Sequence, residues 1–197
     1  MLVDNENIYA KLPQIESNRL VVKILQPGSA NLVLDYLIRN KDHVQSWIPT
    51  RSKDYYTLQF QEKKLDKLLE LYNSGKEFRF YIFHKNDRTK IIGDLSFFKF
   101  VKGAFWSCFV SYALDYNCLK QGIMTEAVQA GVKYMFDVQN AHRVSASVMP
   151  ENKKSINVLE RSGFQFEGLC KNYLRINSSW KDHKMYAITN DNWNIQM

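Results

Sequence analysis

The chain has 197 residues, and its 45% hydrophobic and 14% aromatic content excludes a disordered chain and suffices for one globular domain over residues 1–197. Its 27 lysines and arginines against 20 acidic residues give a net charge of +7, which favours anionic partners such as nucleotide phosphates or an RNA-rich assembly, or reflects a solvated basic surface. No block of five or six basic residues occurs, which argues against an arm that binds nucleic acid.

The cysteines and histidines indicate neither a disulfide framework nor a metal site. Cys108, Cys118 and Cys170 form no C-x-x-C motif, and the four histidines lack metal-ligand spacing, so we expect no metal. Residues 1–12 contain acidic residues and no apolar stretch, and no run approaches the length of a membrane span. We therefore expect no export signal, no membrane contact and a reducing, cytoplasmic location.

The N-terminal part of the chain predicts a strand followed by helices. Residues 19–25 (RLVVKIL) form the strand, which Pro27 and Gly28 end. A helical pattern through Tyr36 follows, and residues 42–50 (DHVQSWIPT) predict a short helix and then a loop. Residues 54–75 place leucines on one helical face and end at a glycine, which is a typical helix stop.

Strand patterns dominate the middle of the chain. Residues 77–84 alternate in polarity, and the strands at 90–100 and 107–115 follow after short polar turns, which predicts an antiparallel meander. A helix over 122–136 carries small residues on one stripe, so it can lie close to a sheet. The strand at 142–150 then completes a strand-helix-strand crossover, so its pairing with 107–115 should be parallel.

The C-terminal part predicts a helix over 151–164 and a closing hairpin made of 166–176 and 180–189. Together these elements indicate a mixed sheet with helices packed on it. No internal repeat, low-complexity stretch or domain linker interrupts them.

The stretch LKQGIMTEAVQ (119–129) places Gly122 between a strand and a helix. A glycine there permits a tight turn and a close approach to the backbone. The first amides of the helix have no carbonyl partner inside it, so an anion could bind at this point.

Several of these motifs, taken in chain order, resemble those of one protein family. The strand, LKQGIMTEA and its helix, followed by HRVSASVMPENKKSINVLERSGFQFEG (142–168), resemble the GNAT superfamily of N-acetyltransferases. The closer resemblance is to the RimJ/RimL branch, which acetylates the N-terminal amino group of ribosomal proteins. It covers nearly the whole chain and implies a GNAT fold of the α/β (α+β) class: a mixed, mostly antiparallel central sheet, a splayed parallel strand pair and flanking helices. It also implies acetyl-CoA as the cofactor.

The resemblance assigns most of the cofactor site. Amides of a loop that matches residues 119–124 would wrap the pyrophosphate, and the backbone of the strand end would pair with pantetheine. The chain departs from the family pattern at Leu119 and Met124, where Gln or Arg and a small residue are usual. The implied cofactor-binding residues are Tyr112, Ala113, Leu114, Lys120, Gln121, Gly122, Ile123, Met124, Thr125, Asn152 and Ser155.

The resemblance also suggests catalytic roles. Ser155 is a candidate general acid at the leaving sulfur, although Asn152 and Ser155 also fit ordinary helix capping. No glutamate stands where some relatives carry a base, which leaves Tyr173, Asp182 and His183 as candidates.

Trp47 and Pro49 match the part that lines the acceptor groove in relatives, and a packing role for Trp47 is the alternative. The family's route is direct transfer in a ternary complex, so we expect no acyl-enzyme on Cys118.

The favoured function is acetylation of a protein N-terminus, with a ribosomal protein as the acceptor. A small-amine acetyltransferase of the polyamine type is the alternative within the same fold, and a catalytically silent acyl-CoA-binding regulator is the alternative outside catalysis. A nucleic-acid binder is the least favoured interpretation, because no helix-turn-helix or aromatic-rich basic surface is found. The sequence leaves open whether the chain forms a homodimer.

Overall fold

The computed structural model describes residues 12–194. The strands are β1 (Gln14–Glu16), β2 (Leu20–Lys23), β3 (Phe78–His84), β4 (Gly93–Val101), β5 (Ser107–Leu114), β6 (Arg143–Val148), β7 (Gln165–Ile176) and β8 (Ser179–Thr189). The helices are α1 (Ala30–Val44), α2 (Leu58–Asn73), α3 (Ile123–Asp137) and α4 (Lys153–Arg161).

All eight described strands belong to one sheet in the order β1-β2-β3-β4-β5-β6-β8-β7. Every neighbouring pair is antiparallel except β5 and β6, which are parallel because α3 carries the chain back across the sheet between them. This is the predicted mixed, mostly antiparallel sheet with one parallel pair, and that prediction is confirmed.

Helices cover both faces of this sheet, so its central strands bury side chains in both directions. In β2, for example, Leu20, Val21 and Val22 are all fully buried. One face packs on α3 through Leu20, Val22, Phe80, Ile82, Leu95, Phe97, Ile123, Ala127 and Val128. The other face packs on α1 and α2 through Val21, Tyr81, Phe83, Val33, Tyr36 and Leu65.

The small-residue stripe of α3 lets that helix lie close against the sheet. A Cβ atom added at Gly131 would stand 2.5 Å from Cδ2 of Leu95 and 2.8 Å from Cε2 of Phe97. These separations are shorter than any ordinary carbon contact, so only glycine fits at this point unless the side chains of Leu95 and Phe97 move.

Asp115 ties the end of β5 to α1. Its carboxylate is 2% exposed and accepts hydrogen bonds from the Arg39 guanidinium at 3.0 Å, the Asn40 amide at 3.3 Å and the Asn117 backbone at 3.0 Å. Burial opposes ionisation of the carboxylate, but these bonds hold its pKa below the ordinary value. The contacts fix the point where the chain leaves the sheet and turns towards α3.

Two local expectations differ from the structure. The short separate helix expected within 42–50 does not form, because α1 runs unbroken to Val44 and the Gln45 amide still donates to the Lys41 carbonyl at 3.1 Å. No glycine or proline lies between 30 and 44 to stop it. The strand β1 was not predicted.

The terminal residues carry two further expectations. Residues 1–11, on which the expectation of no export signal mainly depends, lie outside the described residues. The single domain over 1–197 includes them and stays a prediction. Within residues 12–194, no helix is long and apolar enough to cross a membrane.

Candidate active site

The parallel strands β5 and β6 separate after a short paired stretch. Their register covers Ser107–Arg143, Cys108–Val144 and Phe109–Ser145 and then ends. Beyond that point β5 stays paired with β4 as far as Leu114, and β6 stays paired with β8 as far as Val148. Each strand is thus held on its outer side only, and a cleft opens between them.

The backbone of β5 alternates between its two neighbours, and this alternation decides which groups face the cleft. The Trp106 carbonyl accepts from the His142 amide of the β6 side at 2.8 Å, whereas the Asp115 amide donates to the Ile92 carbonyl of the β4 side at 2.8 Å. Because the direction alternates with each residue, Tyr112 and Leu114 turn their N–H and C=O groups towards the cleft. Ala113, which was expected to do the same, faces β4.

The N-terminus of α3 lies beside this cleft. Gly122 precedes the helix with φ 74°, in the left-handed region that favours glycine. The first intrahelical bond runs from the Glu126 amide to the Gly122 carbonyl at 3.1 Å, so the amides of residues 123–125 have no carbonyl partner within the helix. These donors and the helix dipole favour a bound anion.

The turn between β1 and β2 holds the start of α3 and the loop before it. The Glu126 carboxylate accepts from the Ser17 hydroxyl at 2.8 Å and from the Arg19 backbone and side chain at 2.8 and 2.7 Å. Burial disfavours the charged carboxylate, yet these bonds keep the pKa of Glu126 below its usual value. The Arg19 guanidinium also donates to the Gln121 carbonyl at 3.0 Å. This bond holds the backbone of the loop directly before Gly122.

The two departures from the family pattern are accommodated without blocking the loop. Met124 is 4% exposed and belongs to the core cluster around α3, so its bulk is directed into the protein. Leu119 contributes an apolar side chain to the wall of the cavity. The backbone amides need neither side chain in order to bind an anion.

The cleft widens into a cavity of about 450 Å³. Its lining includes these residues that the sequence singled out: Trp47, Tyr112, Ala113, Leu114, Lys120, Gly122, Ile123, Met124, Thr125, Asn152 and Ser155. Pro49, Gln121 and Tyr173 are not among its lining residues.

Three charged or titratable residues on the wall were missed by sequence reasoning. Lys154 and Arg161 lie seven residues, or about two helical turns, apart and line the cavity from one side of α4. The helix predicted over 151–164 already places them on one face. His43 of α1 also lines it, and burial together with the charge of Lys154 lowers its pKa, against the opposing Asp115. The cavity is therefore bordered by cations and by an imidazole whose neutral form is favoured.

Asn152 and Ser155 both combine capping with a place on the cavity wall. Asn152 caps α4, where its Oδ1 accepts from the Ser155 backbone amide at 3.2 Å. The Ser155 hydroxyl lies 3.0 Å from the Tyr112 hydroxyl, which also donates to the Ser155 carbonyl at 3.0 Å. Burial raises the pKa of Tyr112 well above its ordinary value, against the Ser155 bond, so the phenol keeps its proton.

The candidate bases of the C-terminal hairpin make structural contacts. Tyr173 packs against the ring of His183, with ring centroids 5.7 Å apart. His183 is 4% exposed, and its Nδ1 lies 3.0 Å from the Lys181 carbonyl. Asp182 accepts from the backbone of Asn172 at 2.9 Å.

Cys118 directly precedes the loop over residues 119–122 and is half-buried. Burial, reinforced by Asp115, raises the pKa of its thiol, which disfavours the thiolate. Within the described residues, no group of three or more His, Cys, Asp or Glu side chains could hold a metal ion.

The loop that carries Trp47 is held by the hairpin turn between β7 and β8. Asn177 donates to the Gln45 carbonyl at 3.0 Å and accepts from the Thr50 hydroxyl at 2.8 Å. Trp47 is 38% exposed and forms part of the cavity wall. The loop therefore sits at a fixed position over the mouth of the cavity.

Comparison with known proteins agrees with this geometry. The family model described as acetyltransferase (GNAT) domain matches residues 19–165. The [Ribosomal protein uS5]-alanine N-acetyltransferase of Escherichia coli (strain K12) is 33% identical over 180 residues, which are 91% of this chain and 92% of the relative. The probable N-acetyltransferase YjcK of Bacillus subtilis (strain 168) is 35% identical over 89% of this chain and 97% of its own.

A solved structure gives the same result. The crystal structure of ribosomal-protein-S5-alanine acetyltransferase from Vibrio fischeri superposes with a TM-score of 0.88 at 35% identity, and the match covers 92% of this chain and 99% of the other. Sequence and fold thus indicate the same group of relatives over nearly their full lengths.

Proposed function

The chain belongs to the GNAT acetyltransferase family, and we propose that it moves an acetyl group from acetyl-CoA to the N-terminal α-amino group of a ribosomal protein, by direct transfer in a ternary complex. The observation that carries this proposal is the cleft between β5 and β6, which opens beside the unpaired amides at the start of α3.

The residues around the cleft fit acetyl-CoA, which members of this family use. The amides of residues 123–125 suit its diphosphate, and Lys120, Lys154 and Arg161 add positive charge along the same cavity. The cleft-facing backbone of Tyr112 and Leu114 suits the amides of pantetheine. Acetyl-CoA supplies the activated acetyl group.

Ser155 is proposed as the general acid at the leaving sulfur. Its hydroxyl lines the cavity, and Tyr112 holds it in place at 3.0 Å. Because burial keeps the proton on Tyr112, the phenol stays neutral and orients the Ser155 hydroxyl. Ser155 regains its donated proton from solvent, to which the acceptor amine has lost one. A general acid of this kind contributes about 100-fold or more to the rate.

The acceptor amine must be neutral when it attacks. An α-amino group has an ordinary pKa of about 7.7 to 8.0, whereas a lysine side chain titrates near 10.4. Among residues 12–194, no carboxylate lines the cavity, so loss of the amine proton to solvent is the proposed route. This route suffices for an α-amine and disfavours a lysine acceptor.

Charge also discriminates between the two acceptor classes. A polyamine is a polycation, and the cavity wall carries Lys120, Lys154 and Arg161, which no carboxylate of the described lining balances. The net charge of +7 instead favours approach to an RNA-rich assembly such as the ribosome. The names of the two ribosomal-protein acetyltransferases among the relatives support the same choice.

Mass spectrometry tests the proposal. The protein is incubated with acetyl-CoA and a mixture of ribosomal proteins, and acetylation is scored at N-termini and at lysines, with spermidine in a parallel reaction. We expect an N-terminus to be modified, and the Ser155→Ala variant to modify it more slowly. Acetylated spermidine with unmodified N-termini would support the small-amine alternative, and binding of acetyl-CoA without any transfer would support the silent regulator.

A further inference from the structure

A second, smaller cavity adjoins the first on the α1 and α2 side of the sheet. It has a volume of about 140 Å³, and we call it the inner pocket. Both cavities share Val44, Ile48, Tyr112 and Ala113, so they meet at the β5 edge of the cleft. A group in the inner pocket would thus lie next to the point where an acceptor amine meets the acetyl group.

The lining of the inner pocket is rich in hydrogen-bond donors with positive charge. Arg51, Lys64 and Arg79 contribute three cationic side chains, and Tyr55 and Tyr81 contribute phenols. Within the part of the chain that the structure describes, Asp94 is the one carboxylate in this lining.

That carboxylate is already engaged. It accepts from Arg79 at 2.8 Å and from the Tyr36 hydroxyl at 3.1 Å. The positive charge of Arg79 is therefore balanced by the negative charge of Asp94. The remaining charge of the pocket lies on Lys64 and Arg51, which both lie against Tyr55, within 4.9 Å of its ring centroid. The inner pocket therefore carries more positive charge than Asp94 can balance, and the unbalanced charge lies on Lys64 and Arg51.

Lys64 shows the consequence of this excess. Its ammonium donates to the Tyr55 hydroxyl at 2.8 Å, which is a neutral acceptor. Burial and the charge of Arg79 lower the pKa of Lys64 to about 7, Asp94 and Glu77 oppose this, and Arg51 adds to it. An incoming negative charge would favour the ionised form of Lys64 and so raise its pKa.

We propose that the inner pocket binds a carboxylate that the acceptor carries close to its reactive amine. The carboxylate belongs either to an acidic second residue of a peptide or to a free amino acid. The volume equals roughly four or five water molecules at about 30 Å³ each, which is room for such a short group. This inference rests on the proposed function, because it assumes that the amine reacts at the neighbouring cleft.

Matched acceptors test the inference. Peptides that begin Ala-Glu, Ala-Gln and Ala-Lys, and otherwise agree, are compared by kcat/KM, with alanine and alaninamide as the small-molecule pair. A preference of about tenfold or more for Ala-Glu over Ala-Gln supports the peptide source. The same preference for alanine over alaninamide supports the free amino acid. Equal turnover within both pairs overturns the inference and leaves acetyl transfer intact.

Variants test whether the preference for a carboxylate acceptor arises in the inner pocket. Lys64→Gln should reduce the ratio of kcat/KM between the carboxylate acceptor and its amide partner by about tenfold. Lys63→Gln, at an exposed neighbouring position of α2, is the matched control and should leave that ratio unchanged. An unchanged ratio in the Lys64 variant overturns the inference.

Titration of Lys64 by NMR in the wild-type protein provides a readout that does not depend on turnover or on the folding of a variant. The carboxylate acceptor should raise the pKa of Lys64 above about 7, and its amide partner should not. Equal titration with both acceptors counts against the inference. If acetyl-CoA binds but no acceptor is modified, the proposed function fails, and the inference fails with it.

Discussion

Replacing Gly122 by tryptophan tests whether the start of α3 holds a phosphate group. Gly122 has φ 74°, and a Cβ atom there would meet Nη2 of Arg19 at 3.6 Å, an ordinary contact. Gly103, in the turn between β4 and β5, has φ 73° and nothing within 4 Å of its added Cβ. Both positions thus impose the same backbone strain and leave similar space, but only Gly122 borders the cavity.

The strain predicts equal losses of stability. A non-glycine residue in the left-handed region costs about 1–2 kcal/mol, which lowers Tm by about 2–8 °C in a chain of this size. We expect Gly122→Trp and Gly103→Trp to show this same loss in thermal unfolding without ligand. The comparison removes general destabilisation as an explanation of any difference in binding.

Acetyl-CoA should separate the two variants. At 100 times its Kd, a ligand stabilises by about 2.7 kcal/mol, which raises Tm by about 5–11 °C. Wild type and Gly103→Trp should show this shift. Gly122→Trp should lose at least two charged hydrogen bonds of about 1.5 kcal/mol each, and its Kd measured by calorimetry should rise about 100-fold. Equal affinity in both variants would refute the assignment of the phosphate loop.

Three further predictions concern catalysis and stability. Ser155→Ala should lower kcat about 100-fold with little change in the Kd of acetyl-CoA, and an unchanged kcat in steady-state assays would remove Ser155 from the mechanism. Asp115→Asn should cost about 3 kcal/mol at pH 7, because it breaks the buried pair with Arg39. The pKa of Asp115 is depressed in the folded state, so its stabilisation is present above its unfolded value near 3.9 and is lost at lower pH. Urea unfolding should therefore show the variant and wild type converging as the pH falls below about 4, and a constant gap would contradict the pairing. Gly131→Ala should destabilise by about 1–3 kcal/mol, since the Cβ would stand 2.5 Å from Leu95, and a gain of the roughly 1 kcal/mol expected from helix propensity alone would disprove the close packing.

The order and type of most elements could be predicted from the sequence, because each carries a periodic apolar pattern bounded by a turn residue. The crossover from β5 through α3 to β6 is the best example, and its parallel pairing and the GNAT resemblance are confirmed. The strand β1 has three residues, which are too few for any periodicity. The expected break within 42–50 depended on Pro49 alone, and a proline ends a helix without indicating where the preceding turn begins.

The residues of the candidate site fall into two groups by how they could be found. Gly122 and Ser155 stand out in sequence, because one marks a strand-to-helix turn and the other a helix start. His43 and Lys64 have no local signal, since each is one polar residue on an otherwise ordinary helix. Their importance comes from what α1 and α2 place around them, and those neighbours are distant in sequence.

The depth of the cleft is a property of backbone pairing, and side-chain patterns do not encode it. Tyr112 belongs to a strand that looks continuous in sequence, and the same alternation would fit a β5 paired with β6 along its whole length. The structure instead ends that pairing at Phe109, while β4 and β8 continue to hold the outer edges of the two strands. Backbone groups at Tyr112 and Leu114 then need a partner other than a strand, and buried amides are satisfied by water or by a ligand. A ligand that carries its own amide groups could meet this need, which is why we propose the site where the sheet is incomplete.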